Sequence, residues 1–315
     1  MDITVVIPLY NEEDSLTELE SWISKVMNQH DFSYEMLFVD DGSTDDSWSV
    51  IQTLCSKRKE NKAVRFRRNY GKSAALNVAF ERAQGNVVIT MDADLQDSPD
   101  EIPELYRMIV EDQFDLVSGW KKKRHDPLGK TIPSKIFNGT VRRVSGIKLH
   151  DFNCGLKAYR NQVVKSIEVY GDMHRYIPVI AKNAGFRKIG EKVVQHQARK
   201  YGVSKYGFMR VFNGFLDLAT VTFLGKFGKQ PMHFLGTIGT IFGLIGFVIL
   251  AGFTVGKLIW NYSINDRPLF YLGMLLTIVG TQLFVAGFVA ELVARNSSSR
   301  NQYLIAEEKG INSES

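Results

Sequence analysis

The chain has 315 residues, 44% hydrophobic and 23% charged, with 39 Lys and Arg against 34 Asp and Glu for a net charge of +5. Two cysteines are too few for a disulfide framework, which excludes a cross-linked scaffold and leaves Cys55 and Cys154 as free thiols. No stretch resembles a nucleic-acid recognition motif, so the basic excess is not read as a nucleic-acid footprint.

Ile3 to Leu9 is a short apolar run that breaks at Tyr10-Asn11-Glu12, which predicts a buried strand followed by a helix from about Ser15. Met36 to Val39 repeats the pattern and ends in Asp40-Asp41-Gly42. Ser43, Thr44 or Asp45 is placed to cap the helix carrying Trp48, Ile51 and Leu54. A third strand, Ala63 to Phe66, leads through Arg68-Asn69-Tyr70-Gly71-Lys72 into an Ala-rich helix from Ser73 to Ala83. Gly85 to Met91 then runs into Asp92-Ala93-Asp94-Leu95-Gln96-Asp97, and a further strand covers Phe114 to Trp120. Strand and helix alternate, so the first 120 residues read as a parallel sheet wrapped by helices, with acid-ended strands meeting at one carboxyl edge.

The chemistry of that edge derives from its side chains. Asp-x-Asp on an extended segment points both carboxylates to one side. With the Gln96 amide oxygen, Asp92 and Asp94 suit Mg2+ or Mn2+. Asp41 or Glu12 can accept from a nucleobase N–H or a ribose hydroxyl, and Lys72 at a helix N-terminus suits a phosphate. Neither a Walker lysine loop nor Gly-x-Gly-x-x-Gly follows the first strand, which argues against a P-loop kinase or a dinucleotide dehydrogenase. Nucleotide plus metal without either loop suggests a nucleotide-sugar enzyme.

Further along, Lys121-Lys122-Lys123-Arg124-His125 and Arg199-Lys200-Tyr201-Gly202-Val203-Ser204-Lys205 are basic loops, the first at the same sheet edge and expected to be mostly solvated. From Tyr206 to Gln230, apolar residues interleave with Arg210 and Asp217 at helical spacing. That pattern fits a helix lying in a membrane interface, or an ordinary amphipathic helix packed on the domain. Phe234 to Gly256 and Pro268 to Ala290 are each 23 residues without a charge. Each exceeds the roughly 20 residues that cross a hydrocarbon core. They read as a hairpin joined by the loop Lys257 to Arg267. Gly236, Gly239, Gly243 and Gly246 favour close helix contact, within the hairpin or between subunits of a homo-oligomer. Lys226, Lys229, Arg295 and Arg300 flank the spans, a modest positive-inside bias. With no signal peptide ahead of the charged amino-terminal domain, that domain is expected on the cytoplasmic side of the inner membrane. The chain divides on these patterns into a catalytic domain 1–205, a juxtamembrane region 206–231, a transmembrane hairpin 232–294 and a flexible tail 295–315.

Pro8-x-Tyr10-Asn11-Glu12, Asp40-Asp41-Gly42-Ser43-x-Asp45, Arg68-Asn69-x-Gly71-Lys72 and Asp92-Ala93-Asp94-Leu95-Gln96-Asp97 together resemble the signature set of family 2 glycosyltransferases. Among these the chain is similar to the polyprenyl-phosphate type, the bactoprenol glucosyltransferases and dolichyl-phosphate mannose synthases, from residue 2 to about 295. The resemblance implies an α/β fold: a GT-A (Rossmann-like) nucleotide-sugar domain followed by interfacial helices and a two-helix hairpin. It implies nucleotide contacts from Pro8, Tyr10, Glu12, Asp40, Asp41, Lys72 and Asp92. It assigns Arg199 and Lys205 to the phosphates, Arg124 to the acceptor side, and Asp151 either to the role of base or to positioning a loop. The donor is expected to be UDP- or GDP-linked, with UDP-glucose first and GDP-mannose, UDP-GlcNAc and aminoarabinose donors behind it, and the acceptor to be undecaprenyl phosphate.

A phosphate monoester has a second pKa of about 6 and is already ionised at neutral pH, so it needs no strong base. It needs cations to offset repulsion between two phosphates and a fixed in-line approach. Direct displacement inverts the anomeric centre. Two other readings stay open on the sequence. A polysaccharide synthase would carry Gln-x-x-Arg-Trp and more spans, whereas here the chain reads Gln195-His196-Gln197-Ala198-Arg199. A catalytically inactive membrane scaffold would not need intact acidic motifs. His174, His196 and His233 lack metal-like spacing and read as structural.

Overall fold

The computed structural model describes residues 1–122, 128–197, 200, 209–227, 230–260, 263 and 267–296. They fall into two compact units that divide between Thr222 and Phe223.

The first unit opens with β1 (Ile3–Leu9), α1 (Glu13–Gln29), β2 (Tyr34–Asp40), α2 (Ser47–Lys57), β3 (Asn61–Arg65), α3 (Lys72–Arg82) and β4 (Val87–Thr90). There follow α4 (Ile102–Val110), β5 (Leu116–Trp120), α5 (Leu128–Ser145), β6 (Lys157–Arg160), α6 (Asn161–Lys165), α7 (Ile177–Asn183), β7 (Ile189–Val193) and α8 (Met209–Phe227), whose last residues belong to the second unit. The sheet order is β3-β2-β1-β4-β6-β5-β7. β3, β2, β1 and β4 are parallel, as the alternation of strand and helix predicts. β6 is the departure: it runs antiparallel between β4 and β5, so β5 does not pair with β4. Its segment follows a turn-rich stretch and is four residues long, too short for a sequence pattern to reveal.

β1 is apolar without alternation because both sheet faces are covered. Ile3, Val5 and Ile7 join Leu16, Leu19 and Ile23 of α1 in one core cluster. Val6, with Leu37 and Val88, joins Ala75, Ala79 and Phe80 of α3 in the other. Leu218 and Val221 of α8 are buried in this second cluster, so α8 packs one side onto the domain while Leu216 remains exposed. The packed-helix alternative for this stretch thus accounts for those two side chains.

The second unit contains α9 (Pro231–Trp260) and α10 (Pro268–Asn296), both long and apolar enough to cross a membrane. They pack on each other through glycine. A Cβ on Gly239 would meet Gly280 O at 2.6 Å, and one on Gly280 would meet Gly243 N at 2.5 Å. One on Gly246 would meet Gly273 O at 2.7 Å. The small residues of the first span therefore serve contact within the hairpin. Hydroxyls of Thr240, Thr254, Thr277 and Thr281 donate to carbonyls one turn back, which satisfies them without a neighbouring helix.

Candidate active site

Parallel register brings the ends of β1, β2 and β4 to one edge: Leu9 lies beside Asp40, and Val6 beside Thr90. Beyond the strands, the β1 and β2 loops hold each other. The Asn11 amide donates to Ser43 Oγ at 2.9 Å, Thr44 N donates to Asn11 Oδ1 at 2.9 Å, and Glu12 N donates to Ser47 Oγ at 2.9 Å. Asn11 adopts φ +56°, a left-handed conformation that Asn tolerates better than most residues. The expected caps of α2 are thus largely spent on the neighbouring loop. The N-cap of α2 is Asp46, whose side chain makes no capping bond, so none of the three expected residues caps it; Asp45, one residue earlier, accepts from Ser47 N at 3.1 Å and from Glu13 N at 3.4 Å. Pro8 is buried within β1, while Tyr10 and Glu12 are half-buried at its end.

The two aspartates of the β2 end have different surroundings. Asp40 is fully buried; its Oδ1 accepts from Ser43 N at 2.8 Å and its Oδ2 lies 3.3 Å from Arg65 Nε. It shapes the turn. Asp41 reaches across to the loop before α3 and accepts from Tyr70 N at 2.7 Å and Gly71 N at 2.9 Å. Burial pushes its carboxyl above the usual carboxylate range, against the pull of those two amides. Gly42 makes the approach feasible: at φ +73°, a Cβ there would stand 2.5 Å from the Arg68 carbonyl carbon.

Asp92 and Asp94 lie past the end of β4, on a turn that includes Leu95 at φ +58°. The pleat alternation expected of an extended Asp-x-Asp therefore does not set their directions; the turn does. Lys72, the first residue of α3, forms an ion pair with Asp92 Oδ1. Burial would raise the Asp92 pKa, but Lys72, with Lys121 and Lys157 behind it, holds it down at about 2. Asp94 is 9% exposed and its Oδ1 accepts from Gln96 N at 3.2 Å. Gln96 Nε2 faces the Gln197 carbonyl at 3.4 Å, and Gln197 N donates to Gln96 O at 2.9 Å. The acidic loop is thereby joined to the segment just before Arg199. Arg199 itself, with Arg124 and Lys205, lies outside the described residues.

Asp151 is 1% exposed, and its Oδ1 accepts from Asn153 N at 3.0 Å. Ser118 Oγ donates to the Asp151 carbonyl at 3.1 Å, which ties that loop to β5.

Several residues at this edge carry no sequence signal of their own. Lys121, the first of the basic run, is not solvated: its Nζ stands 2.7 Å from Oδ1 of the fully buried Asp97. Burial works against its charge, yet Asp97 and its acidic neighbours raise its pKa above the usual lysine range. Lys157 is 4% exposed on β6 and donates to the Cys154 carbonyl, with burial pushing its amine below that range. Gly155 abuts Asp92, since a Cβ there would fall 2.4 Å from Asp92 Oδ2. Only the register of β6 against β4 reveals these two.

Two carboxylates, an amide and a cradle that only glycine permits suit a hard divalent cation. Among the described residues no group of three or more His, Cys, Asp or Glu gathers as a self-sufficient metal cage. Such an ion would complete its shell from phosphate oxygens and water, as Mg2+ commonly does. His174 bonds the Ser73 hydroxyl at 3.1 Å, and the His196 backbone bridges that of Asp97.

Comparison with known proteins bears on the family, the relatives and the fold. The profile of Glycosyl transferase family 2 matches residues 4–168. The chain is 36% identical over 304 residues to dodecaprenyl-phosphate galacturonate synthase of Rhizobium johnstonii, covering 94% of this chain and 88% of that one. It is also 36% identical over 295 residues to undecaprenyl-phosphate 4-deoxy-4-formamido-L-arabinose transferase of Pseudomonas syringae pv. syringae, covering 93% and 86%. Among solved structures, glucosyl-3-phosphoglycerate synthase of Mycobacterium tuberculosis with UDP superposes at a TM-score of 0.54 and 18% identity, covering 71% of this chain and 79% of that one. The same enzyme with Mn2+, UDP-glucose and phosphoglyceric acid gives 0.52 at 17% identity, over 71% and 79%. At that identity the likeness concerns the fold, which is the GT-A-like sheet expected.

Proposed function

The chain belongs to Glycosyl transferase family 2, and on that premise we propose that it transfers a sugar from a nucleotide-sugar to a membrane-held polyprenyl phosphate. One observation carries the reading most: β1, β2 and β4 deliver Glu12, Asp41, Asp92 and Asp94 to a single edge, where Lys72 meets Asp92. The names of the two relatives support the acceptor, because both are polyprenyl-phosphate sugar transferases.

Asp41 and the β1 loop, with Pro8, Tyr10 and Glu12, would receive the nucleoside, with Asp40 holding the turn beneath them. Lys72 would leave the Asp92 carboxylate for the donor diphosphate, aided by the free amides at the start of α3. Asp92, Asp94 and Gln96 would hold Mg2+ or Mn2+, which when bound offsets the charge on the departing nucleoside diphosphate. The fold relative solved with Mn2+ makes that ion one to test here. The acceptor phosphate attacks the anomeric carbon, the glycosidic C–O bond to the diphosphate breaks, and configuration inverts. Because the acceptor is ionised at neutral pH, no residue needs to remove its proton. Asp151 accordingly acts here by fixing its loop. Arg124, Arg199 and Lys205 are assigned to the two phosphates.

UDP-glucose stays the first donor to test, and the relatives' names add uronic-acid and 4-formamidoarabinose nucleotides. The helices α9 and α10 would span the inner membrane with the catalytic unit on the cytoplasmic side, where nucleotide-sugars are made. The test is a donor screen with purified protein, undecaprenyl phosphate, Mg2+ or Mn2+ and one radiolabelled nucleotide-sugar at a time. Label entering the organic phase from one donor, and lost with Asp94→Asn, supports the proposal and names the sugar. Absence of lipid-phase label from every donor, with nucleotide bound, would overturn it.

A further inference from the structure

The segment from Asp151 to Lys157 does more than pass beside the acidic loop. Its Gly155 stands against the Asp92 carboxylate so closely that a Cβ would lie 2.4 Å from Oδ2, 2.6 Å from Cγ and 2.9 Å from Oδ1. A backbone this near a carboxylate restricts the angles the carboxylate can take, provided the backbone itself is held. It is held from two directions. The Thr90 hydroxyl, two residues before Asp92, donates to the Gly155 carbonyl at 2.8 Å. The Lys157 ammonium donates to the Cys154 carbonyl, on the peptide link that leads into Gly155. Both anchors are interior, Thr90 at 3% and Lys157 at 4% exposure. Both lie in the β4–β6 ladder, where Thr90 and Lys157 are register partners. The clamp is thus part of the sheet, rigid in a way that a loop is not.

We propose that Gly155, fixed by Thr90 and Lys157, is the seat that orients Asp92, and that this seat sets how tightly the site takes a divalent ion. The inference rests on the metal-assisted reading above. Outer groups that orient a ligand change metal affinity about 10- to 100-fold when removed, although they never touch the ion. Thr90, Gly155 and Lys157 are positioning residues in this sense. Lys157 is the poorest probe of the three, since its removal also deletes a positive charge that opposes cation binding. Thr90→Val keeps shape and loses the donated bond, together with the hydroxyl's contact to the buried Tyr159. Gly155→Ala keeps the bond and forces Asp92 to turn.

The experiment uses the full chain in detergent and follows free Mn2+ by electron paramagnetic resonance, with saturating UDP or GDP. Asp92→Asn serves as the ligand-loss control. Nucleotide affinity in EDTA and thermal midpoint are measured on each variant. The expected result is Mn2+ binding weaker about tenfold or more in Gly155→Ala and severalfold in Thr90→Val. Nucleotide affinity in EDTA stays unchanged. If Gly155→Ala does not fold, Thr90→Val decides the question. Wild-type Mn2+ affinity in both folded variants would overturn the seat and leave the metal reading standing. A parallel loss of nucleotide affinity in EDTA would also overturn it, as general loosening. No Mn2+ uptake by the wild type with either nucleotide would remove the metal reading, and the seat with it.

Discussion

The sheet edge and the helical hairpin both depend on glycine, but to different physical ends. At the edge, Gly42 lets two loop backbones approach and Gly155 lets backbone approach a carboxylate, and these approaches are then secured by hydrogen bonds to Asp41 and from Thr90 and Lys157. In the hairpin, Gly239, Gly246 and Gly280 let two backbones approach through contact alone, since the nearby threonine hydroxyls bond within their own helices. The first arrangement places charge with directional bonds. The second gains dispersion over a broad surface in which no single atom is decisive. Damage to the edge should therefore be chemical and specific, and damage to the hairpin mechanical and confined to the hairpin.

The largest effect should come from Asp94→Asn, which removes one charge and almost no volume. Lipid-phase transfer should fall by roughly 10²-fold or more, the scale of losing a group that stabilises developing charge. Circular dichroism should not change. A variant retaining near-normal transfer would break the claim that the edge works through charge.

Gly42→Ala comes next. At φ +73° and with 2.5 Å to the Arg68 carbonyl carbon, the new methyl strains the backbone and pushes two loops apart. A cost of about 2 kcal/mol is expected, read as a lower thermal midpoint. Weaker nucleotide binding should accompany it, because the Asp41 contacts to Tyr70 and Gly71 depend on that approach. Gly280→Ile gives the matching test in the other region. It should separate α9 from α10 at a cost of about 1–3 kcal/mol while nucleotide affinity stays at the wild-type value. Equal loss of nucleotide affinity in both variants would erase the distinction drawn between the regions.

Lys72→Met sharpens the picture of the edge. Nucleoside diphosphate affinity should drop about tenfold, or about 1.4 kcal/mol, as measured by calorimetry. An unchanged affinity would confine Lys72 to its ion pair with Asp92. The smallest effect concerns a thiol. Burial pushes Cys154 up to about 12, so it stays protonated and shielded through pH 9, whereas the half-buried Cys55 is the more accessible. Mass spectrometry after iodoacetamide should show native Cys154 unmodified, and both residues modified after denaturation.

Much of this was legible in the chain because apolar runs ending in acids leave little freedom. β1, β2 and β4 and their polar ends appear where the sequence puts them, within a residue or two. The two long apolar stretches became α9 and α10, with the helices running a few residues beyond the uncharged cores. What could not be read was pairing. β6 is short, and its antiparallel place between β4 and β5 is a long-range fact that no local pattern encodes. Lys157 and Gly155 were hidden for that reason, and so was the burial of Lys121 against Asp97, which a run of basic residues disguises as solvated surface. The acidic turn misled in a milder way: the carboxylates of Asp92 and Asp94 are directed by the turn at Leu95 and not by strand alternation.

The most direct measurement of the central claim is the identity of the nucleotide released when purified protein, donor and polyprenyl phosphate are mixed. Sugar transfer to the lipid phosphate cleaves the donor between sugar and diphosphate. Nucleoside diphosphate should therefore appear in step with lipid-linked sugar, only when polyprenyl phosphate is present, and not with Asp94→Asn. Release of nucleoside monophosphate, or release that ignores the lipid, would contradict the account.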